Sequence, residues 1–332
     1  MELMYDENGN VIGERKVGLQ SLNEFLDEEE PALGWTEDKP VEQKRRIKDP
    51  EAAAAAPQFR TLSLDDLDNL PDPEWVINGI LPADAMTTIF GAPGSTKSFW
   101  ALKVAFSIAS GLPFDGNEVK KGKVIYCVGE GLRGMKWRIE ALKLAHPEVD
   151  VKALEENLII LPRAVMLLDK TEAQMLINTA ESFNEEAPLR AFIIDTWARS
   201  LTGGDENSAQ DVGVAINICE TVRARTGASP IIIHHTGADG SRERGSTALR
   251  GATDTTIQMI NNEFDGIVTV SCKKMKDGEP FKQLRYSVKQ FGHSVVLQKA
   301  SIDGGIGYNP QAPARDKEYY IQKAIKDRDN PF

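Results

Sequence analysis

The segment Gly91-Ala92-Pro93-Gly94-Ser95-Thr96-Lys97-Ser98 combines glycines, a lysine and a hydroxyl at a spacing suited to binding phosphate. It follows the apolar run Met86–Phe90 and precedes an amphipathic stretch, which predicts a strand, a loop and a helix. Backbone N–H groups of such a loop can surround the phosphates of a nucleotide. Lys97 would reach the β- and γ-phosphates, and the Ser98 hydroxyl would ligate Mg²⁺. The alternative is a glycine-rich turn that binds no ligand.

One position of this segment departs from the usual phosphate-binding pattern. The residue before the lysine is commonly glycine, and here it is Thr96. A Cβ atom at that place can alter the conformation of the loop or its approach to phosphate. The sequence therefore favours nucleotide binding more strongly than rapid turnover.

Two acidic residues follow apolar runs further along the chain. Asp195 comes directly after Ala191–Ile194, and a carboxylate at that place can hold Mg²⁺ opposite a phosphate-binding loop. An aspartate at the end of a strand can also simply cap a turn. Glu130 lies between two glycines after Val124–Val128, where it could orient or deprotonate an attacking water. A helix-capping or surface glutamate is the alternative there.

Two adjacent histidines, His234 and His235, follow the apolar run Ile231–Ile233. Because neighbouring strand residues face opposite sides of a sheet, only one imidazole is expected to point to the nucleotide. We expect this to be His235, which is nearer the following loop and could hydrogen-bond the γ-phosphate. The alternative is a pair of histidines that only complete local hydrogen bonds. A zinc site is disfavoured, because His146 and His293 are distant and no cysteine pair is nearby.

The segment Gly237–Ser246 is rich in glycine, serine and charge. Its Arg242 and Arg244 could contact phosphate, either of a nucleotide or of DNA, and a solvated loop is the alternative. The earlier loop Thr202–Asn207 is polar and acidic, so we do not expect it to be a primary DNA contact.

Composition limits the classes of function. The formal net charge of −11 argues against a protein coated with nucleic acid, although a few basic side chains could hold DNA in a narrow channel. The three cysteines show no metal-ligand spacing and favour a reducing compartment, with the cytoplasm as the expectation. No apolar stretch is long enough to span a bilayer, and the first residues lack a signal-peptide pattern, so we expect no membrane partner.

The chain divides by composition into three parts. Residues 1–60 are polar, with acidic and basic runs and an alanine run between prolines, and we expect a flexible N-terminal arm. Within it, Leu19, Leu22, Phe25 and Leu26 have helical spacing and could dock on a neighbouring surface; a transient helix that docks nowhere is the alternative. Residues 61–300 form the predicted catalytic domain, and 301–332 form a C-terminal extension and polar tail.

The middle part alternates apolar β-branched runs with helical patterns. This alternation predicts an α/β fold with a mostly parallel sheet flanked by helices. The segment that contains Lys276–Glu279 predicts a hairpin at one edge of the sheet. The predicted strands are Met86–Phe90, Val124–Val128, Leu158–Leu161, Ala191–Ile194, Ile231–His234, Gly266–Cys272 and Leu284–Val288.

Several of these motifs, in this order, resemble those of a known family. The residues that carry the resemblance are Gly91–Ser98, Glu130, Asp195, Gly204–Asn207, His234–Gly237 and Arg244–Gly251. The sequence resembles, from about Trp75 to Val288, the RecA-fold ATPases of the plasmid RepA type and their phage relatives. The resemblance implies a RecA-like core in which Lys97 polarises the phosphates of ATP, Glu130 activates water and Asp195 serves Mg²⁺. It also implies that the second histidine senses the γ-phosphate and that the following loop lines a central channel.

In ring helicases of this kind, a later Lys-x-Arg supplies cations to the nucleotide of the neighbouring subunit. Lys274-Met275-Lys276 occupies that place here. A lysine in place of the arginine keeps the charge but loses the two-pronged guanidinium, and a solvated strand end is the alternative. Tyr286 is a candidate for stacking on the base, with an ordinary sheet aromatic as the alternative.

The leading hypothesis from the sequence is an ATP-driven helicase or translocase that forms a homo-oligomeric, hexameric ring in phage or plasmid replication. Loss of the γ-phosphate would move the loop that carries Arg242, Arg244 and Arg250 against single-stranded DNA. The N-terminal arm, or the polar tail that ends in Phe332, could bind a replication partner. The alternatives are a recombination or repair ATPase that forms filaments on DNA, and a nucleotide-dependent regulatory or scaffold protein.

Overall fold

A nine-stranded sheet forms the centre of the molecule. The computed structural model describes residues 2–5, 11–15, 61–69, 73–237, 240, 242–262 and 266–300. The strands are β1 (Glu2–Tyr5), β2 (Val11–Arg15), β3 (Trp75–Ile77), β4 (Leu81–Pro82), β5 (Thr87–Gly91), β6 (Lys123–Val128), β7 (Leu158–Leu161), β8 (Leu189–Asp195), β9 (Ser229–His235), β10 (Thr255–Asn262), β11 (Ile267–Met275), β12 (Leu284–Phe291) and β13 (Ser294–Lys299).

Eight helices lie in the described part of the chain. They are α1 (Leu64–Asp68), α2 (Lys97–Ser110), α3 (Leu132–Ala145), α4 (Val151–Asn157), α5 (Lys170–Glu186), α6 (Trp197–Ser200), α7 (Ala209–Thr226) and α8 (Thr247–Ala252). Among the described residues, no helix is long and apolar enough to cross a membrane.

The central sheet has a parallel half and an antiparallel half. Its strand order is β13-β12-β11-β10-β5-β9-β8-β6-β7, and the neighbours from β10 to β7 are all parallel. From β10 to β13 each strand pairs antiparallel with the next. The predicted α/β class and mostly parallel sheet are confirmed. Because β5, β6, β8 and β9 are parallel, the residues at their carboxyl ends meet along one edge of the sheet.

Helices cover both faces of the sheet and bury two apolar layers. Residues of α2, α3 and α4 pack on one face, with Trp100, Phe106 and Leu142 among the buried side chains. Residues of α5, α6, α7 and α8 pack on the other face, with Ile177 and Val222 among them. The parallel strands are buried on both faces, which explains why they appear in the sequence as continuous apolar runs.

The predicted strands all form, and four of them extend by two or more residues beyond the predicted bounds. The predicted pairing around Lys276–Glu279 is confirmed as the antiparallel contact of β11 with β12. The edge position was wrong, because β13 pairs outside β12 and forms the edge. Two strands of the central sheet, β10 and β13, were not predicted.

Within the N-terminal part, β1 and β2 form a two-stranded antiparallel sheet that the sequence analysis did not predict. The predicted docking helix at Leu19–Leu26 and the tail that ends in Phe332 lie outside the described residues. The division at residues 60 and 300 stays a prediction.

Candidate nucleotide site at the carboxyl edge of the sheet

The segment Gly91–Ser98 forms the turn between β5 and α2, as its sequence predicts. A Cβ atom on Gly91 would lie 2.4 Å from the carbonyl oxygen of Met259 and 2.5 Å from Ser95 Oγ. Gly94 has a φ of 79°, in the region that favours glycine. Close packing and backbone conformation therefore both require glycine at these two places.

Thr96 adopts a conformation that side chains rarely allow. Its φ is 64° and its ψ is 21°, which is left-handed, and for a β-branched residue this is an uncommon and strained backbone. The Thr96 hydroxyl donates to the carbonyl oxygen of Ser95 at 2.6 Å. The Thr96 carbonyl oxygen accepts from the N–H groups of Phe99 and Trp100, so α2 begins here. Thr96 therefore adopts the left-handed backbone conformation that glycine usually provides at this position, and its backbone is strained as a result.

Lys97 is buried at the start of α2. Its Nζ donates to the carbonyl oxygens of Gly91 and Ala92, both at 2.9 Å, and to Ser95 Oγ at 3.4 Å. Burial lowers the pKa of Lys97 to about 8, and attraction by the Asp195 and Glu130 carboxylates partly opposes that shift. These three acceptors are neutral oxygens, so an anion in the turn would stabilise the ammonium.

Asp195 ends β8 beside the first turn of α2. Tyr126 OH donates to Asp195 Oδ2 at 2.8 Å and lies 3.4 Å from the carbonyl oxygen of Ser98. Asp195 is 2% exposed, and its Oδ1 has no hydrogen-bond partner among the described residues. Burial raises the pKa of this carboxyl group, because the charged form is poorly solvated, and the hydroxyls of Tyr126 and Ser98 partly oppose that shift. The buried, unpartnered oxygen fits a cation.

The set of oxygens here suits Mg²⁺ rather than a metal held by protein ligands alone. In the described part of the chain, no group of three or more His, Cys, Asp or Glu side chains is placed to hold a metal ion. Mg²⁺ is typically bound by one or two protein oxygens together with phosphate oxygens and water. The carboxylate of Asp195 and the hydroxyl of Ser98 fit that pattern.

Glu130 lies next to Asp195, at the end of β6. The N–H of Gly129 donates to the Asp195 carbonyl oxygen at 2.5 Å, and a Cβ on Gly129 would come within 2.7 Å of that oxygen. The glycine therefore permits close contact between the ends of β6 and β8. Glu130 Oε1 also lies 3.1 Å from Arg199 Nε, and both side chains are about half exposed.

Arg199, on the short helix α6, was not among the predicted site residues. Its sequence signal is slight, since it is one cation four residues after Asp195. A second cation, Arg138 on α3, lies over the Phe99 ring at 4.6 Å and lowers the pKa of Asp195 by attraction. The carboxyl edge of the parallel strands thus carries two more positive charges than the sequence motifs indicated.

The two histidines have different surroundings. His235 pairs with Gly91 across the β5–β9 register, and its Nδ1 is buried without a hydrogen-bond partner among the described residues. Burial lowers the pKa of His235, and the positive charges of Lys97 and Arg244 add to that effect. His234 is 1% exposed, its Nε2 donates to the Arg244 carbonyl oxygen at 2.8 Å, and burial lowers its pKa to about 4. His235 is therefore the histidine beside Lys97.

The three arginines predicted to bind DNA lie on the segment after β9. Arg242 and Arg250 are exposed. The guanidinium of Arg244 forms an ion pair with the carboxylate of Glu206. This contact places the acidic loop Thr202–Asn207 beside Arg244. Thr236 and Glu243 form an isolated bridge, so part of this segment folds back on the end of β9. Ala238, Asp239 and Ser241 lie outside the described residues.

The lysines predicted to serve a neighbouring subunit have partners within this chain. Lys274 Nζ donates to the carbonyl oxygens of Arg250, at 3.2 Å, and Thr253, near the end of α8. Lys276 Nζ lies 3.6 Å from Asp254 Oδ1 and its side chain is 65% exposed. Lys274 thus caps a helix C-terminus, while Lys276 is only loosely held. The contact of Lys274 and Lys276 with the nucleotide of a neighbouring subunit stays a prediction.

The proposed role of Tyr286 in stacking on the base was wrong. Tyr286 is 0% exposed, and its hydroxyl donates to Asp115 Oδ2 at 2.7 Å. Its position on β12 directs the ring toward the apolar layer under α2, where it packs in the core. A nucleotide base has no access to it.

A cleft of about 330 Å³ adjoins the phosphate turn on the side of β10. Pro93 and Ile260 give it apolar walls, and Ile260 is 50% exposed. Asn261 Nδ2 donates to the Gly94 carbonyl oxygen at 3.2 Å, which fixes the wall against the turn. This cleft is built partly on the unpredicted strand β10 and lies directly beside the turn.

A glycine-bearing turn between a strand and a helix, with a buried lysine and a strand-end aspartate, defines a P-loop nucleotide-binding fold. A family model of the AAA domain matches residues 50–241, more than half of the chain. The chain belongs to this family, and its domain is of the P-loop ATPase type. The match includes the turn, Glu130, Asp195 and both histidines, and it ends before Arg242. No curated protein matches the chain.

Proposed function

We propose that this protein is an ATP-driven helicase or translocase of the RecA-fold class that moves on single-stranded DNA in phage or plasmid replication. The observation that carries the proposal is the buried Asp195 oxygen without a partner beside α2, close to the buried ammonium of Lys97. Both groups are destabilised by burial as they stand, and MgATP supplies the opposite charge to each.

In this proposal the backbone N–H groups of Gly91–Ser98 hold the phosphates, and Lys97 attracts their negative charge. Ser98 and Asp195 would hold Mg²⁺, which neutralises charge that develops on the transferred phosphoryl group. Glu130 orients and deprotonates the attacking water, and to do so its carboxylate leaves the contact with Arg199. His235, with an unpartnered Nδ1 beside Gly91, hydrogen-bonds the γ-phosphate.

The DNA part of the proposal rests on where the cations lie. Arg242, Arg244 and Arg250 follow β9, so they lie close in the chain to the histidine that would report loss of the γ-phosphate. Arginines on such a segment grip the phosphate backbone without reading bases. ATP would lie between subunits of a hexameric ring, where the exposed Lys276 reaches the neighbouring nucleotide by leaving Asp254.

The experiment is phosphate release with and without single-stranded DNA, together with unwinding of a forked duplex. We expect DNA to stimulate turnover, and Lys97→Ala and Asp195→Asn to abolish both activities. Glu181→Gln is the control, because it removes a similar ion pair, with Arg225, on another face of the protein. Turnover that ignores DNA contradicts the motor, and filaments instead of closed rings in negative-stain images favour recombination.

A nucleotide-dependent regulatory or scaffold protein is the second candidate. It is favoured by the strained Thr96 turn and by the use of Lys274 to cap α8, since neither promotes rapid hydrolysis. This candidate predicts ATP binding with negligible turnover and no DNA affinity. We then expect the mass of the protein in solution to change when MgATP is added, because nucleotide controls its assembly.

A further inference from the structure

Arg244 is held by a two-pronged ion pair. Its Nε lies 2.5 Å from Glu206 Oε1, and its Nη2 donates to Oε2 at 3.0 Å. The Glu206 side chain is 22% exposed and that of Arg244 is 45% exposed. The planar guanidinium matches a carboxylate and a phosphate equally well in shape. A carboxylate therefore occupies a guanidinium whose shape also suits phosphate, and solvent can still reach it.

Glu206 is presented by a folded loop rather than by a loose one. The N–H of Asp205 donates to Asp211 Oδ2 at 2.9 Å, and the N–H of Asn207 donates to Asp205 Oδ1 at 2.8 Å. The Glu206 carbonyl oxygen accepts from the N–H of Ser246 at 2.8 Å. A Cβ on Gly245 would lie 2.5 Å from that same oxygen, so the two segments are in close contact.

The backbone of Arg244 touches both histidines at the end of β9. Its N–H donates to the His235 carbonyl oxygen at 3.0 Å, and its carbonyl oxygen accepts from His234 Nε2 at 2.8 Å. His235 in turn pairs with Gly91 of the phosphate turn. The backbone of Arg244 is thus hydrogen-bonded to both residues that end β9 beside the phosphate turn.

We propose that a backbone phosphate of single-stranded DNA exchanges with Glu206 for the guanidinium of Arg244. Glu206 thus withholds Arg244 from DNA, and DNA binding opens the contact and shifts the backbone beside His235. The inference rests on the proposed function and names the residue pair through which DNA and nucleotide are coupled. By linkage, the ion pair weakens DNA binding by its own free energy.

The test measures binding of a fluorescein-labelled oligothymidylate by anisotropy in Glu206→Gln. We expect about fivefold tighter binding than in the wild type, the gain from removing one partly exposed ion pair. Arg244→Gln binds more weakly, and Glu206→Gln/Arg244→Gln binds as Arg244→Gln does. Glu206→Asp, which keeps the charge on a shorter side chain, gives an intermediate gain. Glu181→Gln, the matched loss of one charge, leaves the affinity unchanged.

The outcomes separate this inference from the proposed function. If the wild type binds DNA and Glu206→Gln binds it no more tightly than Glu181→Gln, the exchange is wrong and the motor stands. A gain in Glu206→Gln that persists in the Arg244→Gln background also overturns the exchange, because it is then a general effect of charge. If the wild type hydrolyses ATP but binds no oligothymidylate, both the exchange and the DNA motor are wrong, and the ATPase stands.

Discussion

Two buried lysines on one helix, Lys97 and Lys103 of α2, differ in what neutralises their charge. Lys103 Nζ lies 2.5 Å from Asp115 Oδ1, donates to the Leu297 carbonyl oxygen at 3.0 Å and lies over the Tyr286 ring at 4.7 Å. Among the described residues, Lys97 Nζ hydrogen-bonds only to neutral oxygens, although burial lowers the pKa of both lysines. Burial alone therefore does not mark a functional lysine.

The same contrast separates two polar clusters beside the sheet. The antiparallel half uses Asp115 to connect Tyr286 on β12 with Lys103 on α2, and this polar cluster is internally paired. At the carboxyl edge of the parallel half, Asp195 Oδ1 and the Nδ1 atoms of His234 and His235 have no partners among the described residues. A paired buried cluster stabilises the fold, whereas an unpaired one is suited to a ligand.

The largest expected effect is on stability, in Lys103→Met. We expect the free energy of unfolding to fall by about 3–5 kcal/mol, because Asp115 is left buried and charged without its partner. Urea denaturation measures this loss. Lys103→Met/Asp115→Asn should recover most of it, since asparagine tolerates the positive φ of 52° at that position. A loss below about 1 kcal/mol in the single variant would mean that the pair is not stabilising.

Lys97→Met should show the opposite pattern. We expect ATP turnover to fall by about 100-fold or more, because an electrostatic contact to the reacting phosphates is lost. The free energy of unfolding should stay the same or rise, since the desolvation of the Lys97 ammonium outweighs its attraction to Asp195 and Glu130. Phosphate release and urea denaturation measure the two quantities. A loss of stability as large as that of Lys103→Met would erase the difference between the two lysines.

The site was partly predictable because its chemistry lies in short motifs at strand ends. The turn, Glu130, Asp195 and His235 converge simply because their strands are parallel neighbours. Strand β10 was missed because Thr255, Thr256 and Gln258 interrupt its apolar pattern, although its first five residues are buried.

Partners distant in sequence could not be predicted in the same way. Arg244 meets Glu206 and Tyr286 meets Asp115 across 38 and 171 positions of the chain. A charged or aromatic residue carries no local signal of which distant group will neutralise it. The assignment of Tyr286 to the nucleotide failed for this reason.

The buried His234 should make the free energy of unfolding depend on pH, unlike the exposed His293. His234 has a folded-state pKa of about 4 against an ordinary 6.5, so the unfolded chain binds more protons between these values. The contribution of His234 to the free energy of unfolding should be full near pH 8 and should fall by about 2 kcal/mol as the pH drops through about 6.5 to about 5. His234→Gln should flatten this dependence, measured by urea denaturation, while the exposed His293→Gln should not. An unchanged slope in His234→Gln would contradict the assigned burial effect.

Thr96→Gly should give the smallest effect and tests the strained turn itself. Glycine adopts a φ of 64° without steric cost, so we expect about 1 kcal/mol of added stability in the native turn and tighter ATP binding. Thermal unfolding and nucleotide titration measure both. Thr96→Ala is the control, because it removes the γ-methyl group and the hydroxyl contact with Ser95 but keeps a Cβ at this positive φ. Weaker ATP binding in Thr96→Gly would show that the threonine contributes to the site.

The most direct measurement is calorimetric titration of MgATP into the folded wild-type protein and into Asp195→Asn. We expect saturable binding at one site per chain, with an affinity that depends on Mg²⁺ and that is at least about tenfold lower in Asp195→Asn, because a charged metal ligand is lost. An absence of MgATP binding by the folded wild type, or equal affinity in Asp195→Asn, would contradict the claim that the unpaired groups at the carboxyl edge form a nucleotide site.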